Sequence, residues 1–183
     1  GSVKARLYGE DMRPCPVDLV AIYGDDLRLC WNANPDAISP LAFSAPMREE
    51  LSRLSIAIIG VSGTGSVVAE QLLRLGVGEL IVIDDDRVEF KNLNRILNST
   101  EDDATTRRFK VDVFKEAAAR INHTASVKAL RIRVGTLAAI EAAAEADILF
   151  SCVDSYGGRH IVDRLAAAML QPLFDVGVSI PVY

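Results

Sequence analysis

From Ser55 onward the chain alternates between short, continuous apolar runs and longer stretches in which apolar residues recur every three or four positions. Ile56–Ile59 is the first run and stops at Gly60. An apolar run that short predicts a strand covered on both faces. Residues 65–75 follow, with Val67, Val68, Leu72, Leu73 and Leu75 at helical spacing, and Gly76 and Gly78 predict the helix stop. Leu80–Ile83 is the second strand and ends in Asp84, Asp85 and Asp86. The order then repeats. A helix is expected over 110–121, a strand over 126–134, an alanine-rich helix over 136–146 and a strand at Ile148–Phe150. A helix over 157–170 and the start of a strand at Leu173–Val176 complete the series. Strands alternating with helices of this length imply βαβ crossovers. The expected fold is α/β: a doubly wound, mostly parallel, Rossmann-like sheet.

Residues 3–50 read differently. Pro14, Pro16, Pro35, Pro40 and Pro46 cluster there, and the runs Val17–Tyr23 and Leu27–Trp31 flank Gly24-Asp25-Asp26, the pattern of a hairpin. Residues 47–54 read as a short helix, and the opening Gly1-Ser2 as a tag-cleavage scar. The expected organisation is a small N-terminal appendage over residues 1–50 and a main domain over 51–183.

Composition narrows the function. Of the 183 residues, 50% are hydrophobic and 25% charged, an ordinary globular balance. The net charge of -5 argues against a general nucleic-acid or membrane-surface binder, because both need a basic field. No apolar run approaches the roughly 18 residues of a membrane span. Cys15, Cys30 and Cys152 are scattered with no Cys-x-x-Cys pair, so neither a zinc knuckle nor a disulfide framework is expected. A reducing, cytoplasmic setting follows from that.

The first strand-to-helix turn carries the chemistry. Gly60-Val61-Ser62-Gly63-Thr64-Gly65-Ser66 can bring backbone N–H groups and a helix N-terminus up to phosphate oxygens, which makes Gly60, Gly63 and Gly65 candidate nucleotide contacts. The usual dinucleotide fingerprint has glycine where this chain has Ser62. Asp84 ends the second strand, where a carboxylate can accept hydrogen bonds from ribose hydroxyls, and Asp86 shares its face. The next segment, Asp86 to Arg95, is polar. Asn92 and Arg95 lie one helical turn apart, and Lys110 opens the following helix. A planar guanidinium and an ammonium opposite a glycine loop suit a triphosphate better than a hydride-transfer site, because departing pyrophosphate needs its charge neutralised.

Taken in order, Gly60 to Ser66, Leu75-Gly76-Val77-Gly78, Ile83-Asp84-Asp85-Asp86 and Asn92-Leu93-Asn94-Arg95 resemble the adenylation core of the ThiF/MoeB/HesA and ubiquitin-activating enzymes. The resemblance continues through Lys110, Ser151-Cys152-Val153-Asp154, Arg159, Pro172-Leu173 and Gly177, and covers roughly residues 50–180. It implies ATP and Mg²⁺ as cofactors. Asp84 would hold the ribose; Asn92, Arg95 and Lys110 would bind the phosphates; Asp154 would bind Mg²⁺. Arg95, Lys110 and Asp154 are thus the implied catalytic residues. The implied reaction adenylates the C-terminus of a ubiquitin-like or sulfur-carrier protein, or of a small peptide, in a homodimer, with no nucleic acid and no membrane involved.

Other residues read more plainly. Arg107 and Arg108 lie close enough in sequence to substitute for Lys110, and Asp154 could also cap the helix after it. Arg159 is read as a loop brace, Cys152 as a small packing residue, and His123 and His160 as ordinary surface or packing histidines. Two departures from the family pattern stand out. The stretch Asp36–Ala42 has no arginine where the family has one upstream of the first strand, with Arg28 and Arg48 flanking it. The family's later strands and zinc-binding cysteine pairs have no counterpart after Gly177, so the adenylation domain is expected to be incomplete at its C-terminus. A pseudo-adenylation binding module and an NAD-dependent oxidoreductase remain as alternatives.

Overall fold

The computed structural model describes residues 49–177 and, before them, the backbone of two strands. The chain divides into two compact units, residues 1–46 and 47–183. In the first, β1 (Leu19–Gly24) pairs antiparallel with β2 (Leu27–Asn32), Gly24 standing opposite Leu27. The proline cluster, Arg48 and the Asp36–Ala42 stretch lie outside the described residues.

The second unit opens with one helical turn over residues 49–51 and continues into β3 (Ser55–Ile59). Helix α1 (Gly63–Leu75) follows, then β4 (Glu79–Ile83). A long connection holds a 3-10 turn at Phe90–Asn92 and the short helix α2 (Glu101–Thr105). Then come α3 (Lys110–Ile121), β5 (Ser126–Leu130), α4 (Leu137–Ala144), β6 (Ile148–Ser151), α5 (Tyr156–Met169) and β7 (Leu173–Asp175). The five strands of this unit form one all-parallel sheet in the order β5-β4-β3-β6-β7. This is the doubly wound, Rossmann-like architecture expected from the alternation of runs.

The sheet is covered on both faces by the period-2 geometry of its central strands. Ile56, Ile58, Leu80 and Val82 face a core that includes Ala69 and Leu73 of α1 and Val111, Phe114 and Ala118 of α3. The alternate residues Ala57, Ile59, Ile81 and Ile83 face Ala139 and Ala143 of α4 and Val162, Leu165 and Ala166 of α5. Each fully buried isoleucine or leucine here contributes roughly 1.5–3 kcal/mol of transfer free energy. Helix α4 meets the second face through the small side chains of Ala139 and Ala143.

Two boundaries and one added helix depart from expectation. The strand expected over 126–134 ends at Leu130, because Arg131 and Arg133 leave the sheet to pair with Asp112 and Asp85. Helix α1 starts at Gly63, earlier than the expected residue 65, so two of the loop glycines lie inside it. Its buried line runs through Gly65, Ser66, Ala69 and Leu73, while Val67 is 43% exposed. The small residues face inward because the helix packs hard against the end of β3. Helix α2 was not expected. Thr100 caps it by accepting the Asp103 N–H at 3.2 Å, and Asp103 returns the contact by accepting the Thr100 N–H at 2.8 Å.

Candidate functional site

The chain runs outward from β3 through β4 to β5, then returns to the other side of β3 with β6 and β7. The strand order therefore reverses between β3 and β6. In open α/β sheets a crevice forms there, beyond the carboxyl ends of the strands. Its walls are the loop from Gly60 and the segment from Cys152 to Asp154.

Two glycines shape the first wall. Gly60 has φ +89°, and a Cβ there would lie 2.8 Å from the Cys152 carbonyl oxygen. Gly65 lies so close to the Gly60 carbonyl oxygen that a Cβ would overlap it. Helix α1 is thereby drawn down onto the end of β3, with its N-terminus aimed into the crevice. Ser62 stands at the N-cap position, but its side chain caps nothing.

Asp84 ties the second strand to this loop. Its Oδ2 accepts the Val61 N–H at 2.7 Å and its Oδ1 the Asp86 N–H at 2.8 Å. A carboxylate can accept about four hydrogen bonds, so acceptor capacity remains for a ligand. Burial pushes the Asp84 carboxyl above its ordinary range, against the pull of the Lys110 charge and the two backbone donors. Lys110 is 5% exposed and donates to Asp86 Oδ2 at 2.6 Å, while its backbone N–H donates to the Asp86 carbonyl. Asp85 pairs with Arg133 at 3.3 Å, and one carboxylate oxygen each of Asp84, Asp85 and Asp86 lies within 4.8 Å of the others.

Arg95 reaches the loop from the long connection. A Cβ on Gly63 would lie 3.1 Å from Arg95 Cδ, so the arginine stem rests on the first residue of α1. Its guanidinium donates to the Lys91 carbonyl at 2.9 Å and to Asn94 Oδ1 at 3.2 Å. Asn92 is buried at 4% exposure, and its Oδ1 accepts the Glu89 N–H at 3.1 Å. Its side chain thus already shapes the turn that presents Arg95.

Asp154 follows β6 on the opposite wall. Among the described residues its exposed carboxylate has no hydrogen-bond or ion-pair partner, and it forms no pair with Arg95 or Lys110. It does not cap α5; Ser155 does, accepting the Gly158 N–H at 3.2 Å. Arg108 cannot stand in for Lys110, because it is held by Asp103 at 3.0 Å and Glu116 at 2.7 Å. Arg159 braces the loop as expected, donating to the Val153 carbonyl at 3.1 Å. Cys152 is a free thiol, and burial, with Asp175 nearby, pushes it up to about 11. A thiol held there is a poor nucleophile at neutral pH. His123 and His160 are exposed.

Motif reading missed Ser66. Its hydroxyl is 1% exposed, donates to the Gly63 carbonyl at 3.1 Å and accepts the Leu97 N–H at 3.1 Å. The contact spans 31 positions, so no local pattern announces it.

A parallel doubly wound sheet, a glycine turn into a helix N-terminus and an acidic strand end define a nucleotide-binding α/β domain. Residues 37–180 match the ThiF family, and the chain belongs to it. The match begins well before the residue-50 boundary that the motifs suggested. Ubiquitin-like modifier-activating enzyme 5 of Arabidopsis thaliana is 29% identical over 147 residues, covering 72% of this chain and 33% of that protein. The chain spans about a third of the length of such relatives. Among solved structures, E. coli MccB with ATP superposes with a TM-score of 0.64 at 27% identity, over 70% of this chain and 39% of the other. E. coli TcdA in complex with ATP shares the fold, with a TM-score of 0.67 at 23% identity, over 73% of this chain and 54% of the other. Among the described residues, no helix is long and apolar enough to cross a membrane.

Proposed function

We propose that this domain binds ATP in the crevice between β3 and β6 and adenylates a C-terminal carboxylate. The observation that carries the reading is the stem of Arg95 lying across Gly63, which brings this arginine side chain to the first residue of α1. Two positive features then converge where a triphosphate would lie. The MccB structures support the nucleotide and the type of acceptor, since that protein was crystallised with ATP and with MccA. The relatives named ubiquitin-like modifier-activating enzyme 5 support a ubiquitin-like protein as the acceptor. A sulfur-carrier protein or a small peptide presents the same chemistry.

In this reading the acceptor carboxylate attacks the α-phosphorus, the bond to the bridging oxygen breaks, and pyrophosphate leaves with an acyl-adenylate remaining. The carboxylate is already ionised, so positioning and charge stabilisation suffice without a general base. Asp84 orients the ribose with its remaining acceptor capacity. Arg95 and Lys110 take charge on the phosphates, Asn92 holds the turn beneath Arg95, and Gly60, Gly63 and Gly65 let the backbone approach. Lys110 is already paired with Asp86, so the triphosphate would share or displace that carboxylate. The unpartnered Asp154 carboxylate fits Mg²⁺, which usually takes one or two carboxylates with phosphate oxygens and waters. Bound Mg²⁺ would supply further charge neutralisation on the phosphates. We carry a homodimer as part of this reading. A binding module without turnover is the second reading, favoured by the Lys110–Asp86 pair.

The test is ATP–pyrophosphate exchange by the full-length protein with candidate carrier proteins, in parallel with Arg95→Ala and Mg²⁺-free samples. Exchange that requires carrier, Mg²⁺ and Arg95 supports adenylation. ATP binding without exchange supports the binding module, and NAD binding without ATP binding overturns the nucleotide assignment.

A further inference from the structure

One face of α1 does more than close the core. Gly63, Ser66 and Glu70 stand at helical spacing, and each touches the segment carrying Arg95. Gly63 receives the Arg95 stem. Ser66 Oγ, buried at 1% exposure, accepts the Leu97 N–H at 3.1 Å. Glu70 Oε2 accepts from Asn98 Nδ2 at 2.8 Å. Asn98 adopts φ +63°, a conformation asparagine tolerates better than most residues, and so turns its amide toward the helix. Ile96, at 5% exposure, anchors the same stretch from its buried side. Residues 95–98 are thus fastened along the first two turns of α1 at three successive points.

We propose that Ser66 and Glu70, with Asn98, are positioning residues that hold the Arg95 guanidinium over the phosphate end of the nucleotide crevice. The proposal rests on the ATP reading above. Arg95 is exposed, and among the described residues its guanidinium donates to Lys91 and Asn94 on its own connection. Neither bond fixes that connection relative to α1. The Ser66 and Asn98–Glu70 contacts do, and they span 31 and 28 positions. Loosening either leaves Arg95 attached to a segment free to drift from the helix N-terminus. A charge displaced by an ångström or two loses much of its hold on a pyrophosphate.

The experiment measures ATP and AMP affinity of the full-length protein and its variants by calorimetry. Ser66→Ala removes the buried acceptor. Asn98→Gly removes the outer contact while keeping the backbone conformation, at an exposed site with little risk to folding. Each variant should weaken ATP binding roughly fivefold, the scale of one hydrogen bond. AMP lacks the pyrophosphate, so its affinity should stay within about twofold. Glu70→Gln keeps an acceptor and should bind ATP as the parent does, whereas Glu70→Ala should match Asn98→Gly. In an Arg95→Ala background, Ser66→Ala and Asn98→Gly should cause no further loss. Equal losses for ATP and AMP, or additive losses in the Arg95→Ala background, would overturn the proposal. If the parent binds no ATP, the underlying reading falls. If the parent binds and Arg95→Ala weakens it while Ser66→Ala and Asn98→Gly do not, only the positioning role falls.

Discussion

Glu70 sits where a small electrostatic change can be read directly. The hydrogen bond from Asn98, then the contacts with Arg74, hold its carboxyl below the ordinary glutamate range despite partial desolvation. The fold therefore favours the charged form. Its contribution to stability is fully present above the unfolded value of about 4.3 and disappears as pH falls through the lower folded value. Following the side-chain carbonyl by NMR should give a titration midpoint below 4.3, and Asn98→Gly should move it upward. A midpoint unmoved by that substitution would mean the amide contact does not form in solution. At this scale the sequence declared residue types better than residue roles. Gly60, Asp84 and Arg95 announced themselves by motif and order. Neither the Asp84 contact with the Val61 N–H nor the Ser66 contact with the Leu97 N–H has a local signature, because each joins parts of the chain that meet only in the folded sheet.

Among the elements, the junction of β3 and α1 is the tightest. A methyl group on Gly65 would overlap the Gly60 carbonyl oxygen and approach Cys152 Cβ at 3.2 Å. Backbone, not a flexible side chain, stands in the way, so the helix must lift from the strand. Gly65→Ala should cost ~3 kcal/mol, measured by urea denaturation, and should weaken nucleotide binding as the helix N-terminus withdraws. A loss under 1 kcal/mol would show that the junction yields more easily than its geometry implies. Continuous apolar runs, one stopped by Gly60 and the other by Asp84, made β3 and β4 legible, since strands buried on both faces leave little ambiguity. The edge of the sheet was less so. Beyond Leu130 the alternation persists, but Arg131 and Arg133 turn to Asp112 and Asp85 instead of extending the ladder. Helix α2 escaped notice because it spans only Glu101–Thr105, although Thr100 and Asp103 carry the capping pair that could have revealed it.

For the molecule as a whole, the arrangement of strands decides where binding energy must appear. Asp84 just after β4, the glycine loop after β3 and Asp154 after β6 follow three adjacent strands of one sheet. A ligand spanning them braces the central strands against one another and stabilises only the folded state. At a hundredfold excess over Kd such linkage amounts to about 2.7 kcal/mol. For a domain of this size that is roughly 5 to 10 °C in Tm. Thermal unfolding with MgATP should show a shift of that order. Arg95→Ala at the same ATP concentration should retain about half of it, since tenfold weaker binding leaves about 1.4 kcal/mol. NAD should shift Tm little, because its nicotinamide half offers no terminal phosphates to Arg95 and Lys110. A shift by NAD as large as that by ATP would mean that the glycine loop and Asp84 alone govern recognition. Arg95 and Lys110 would then be charges of the fold and not of the site.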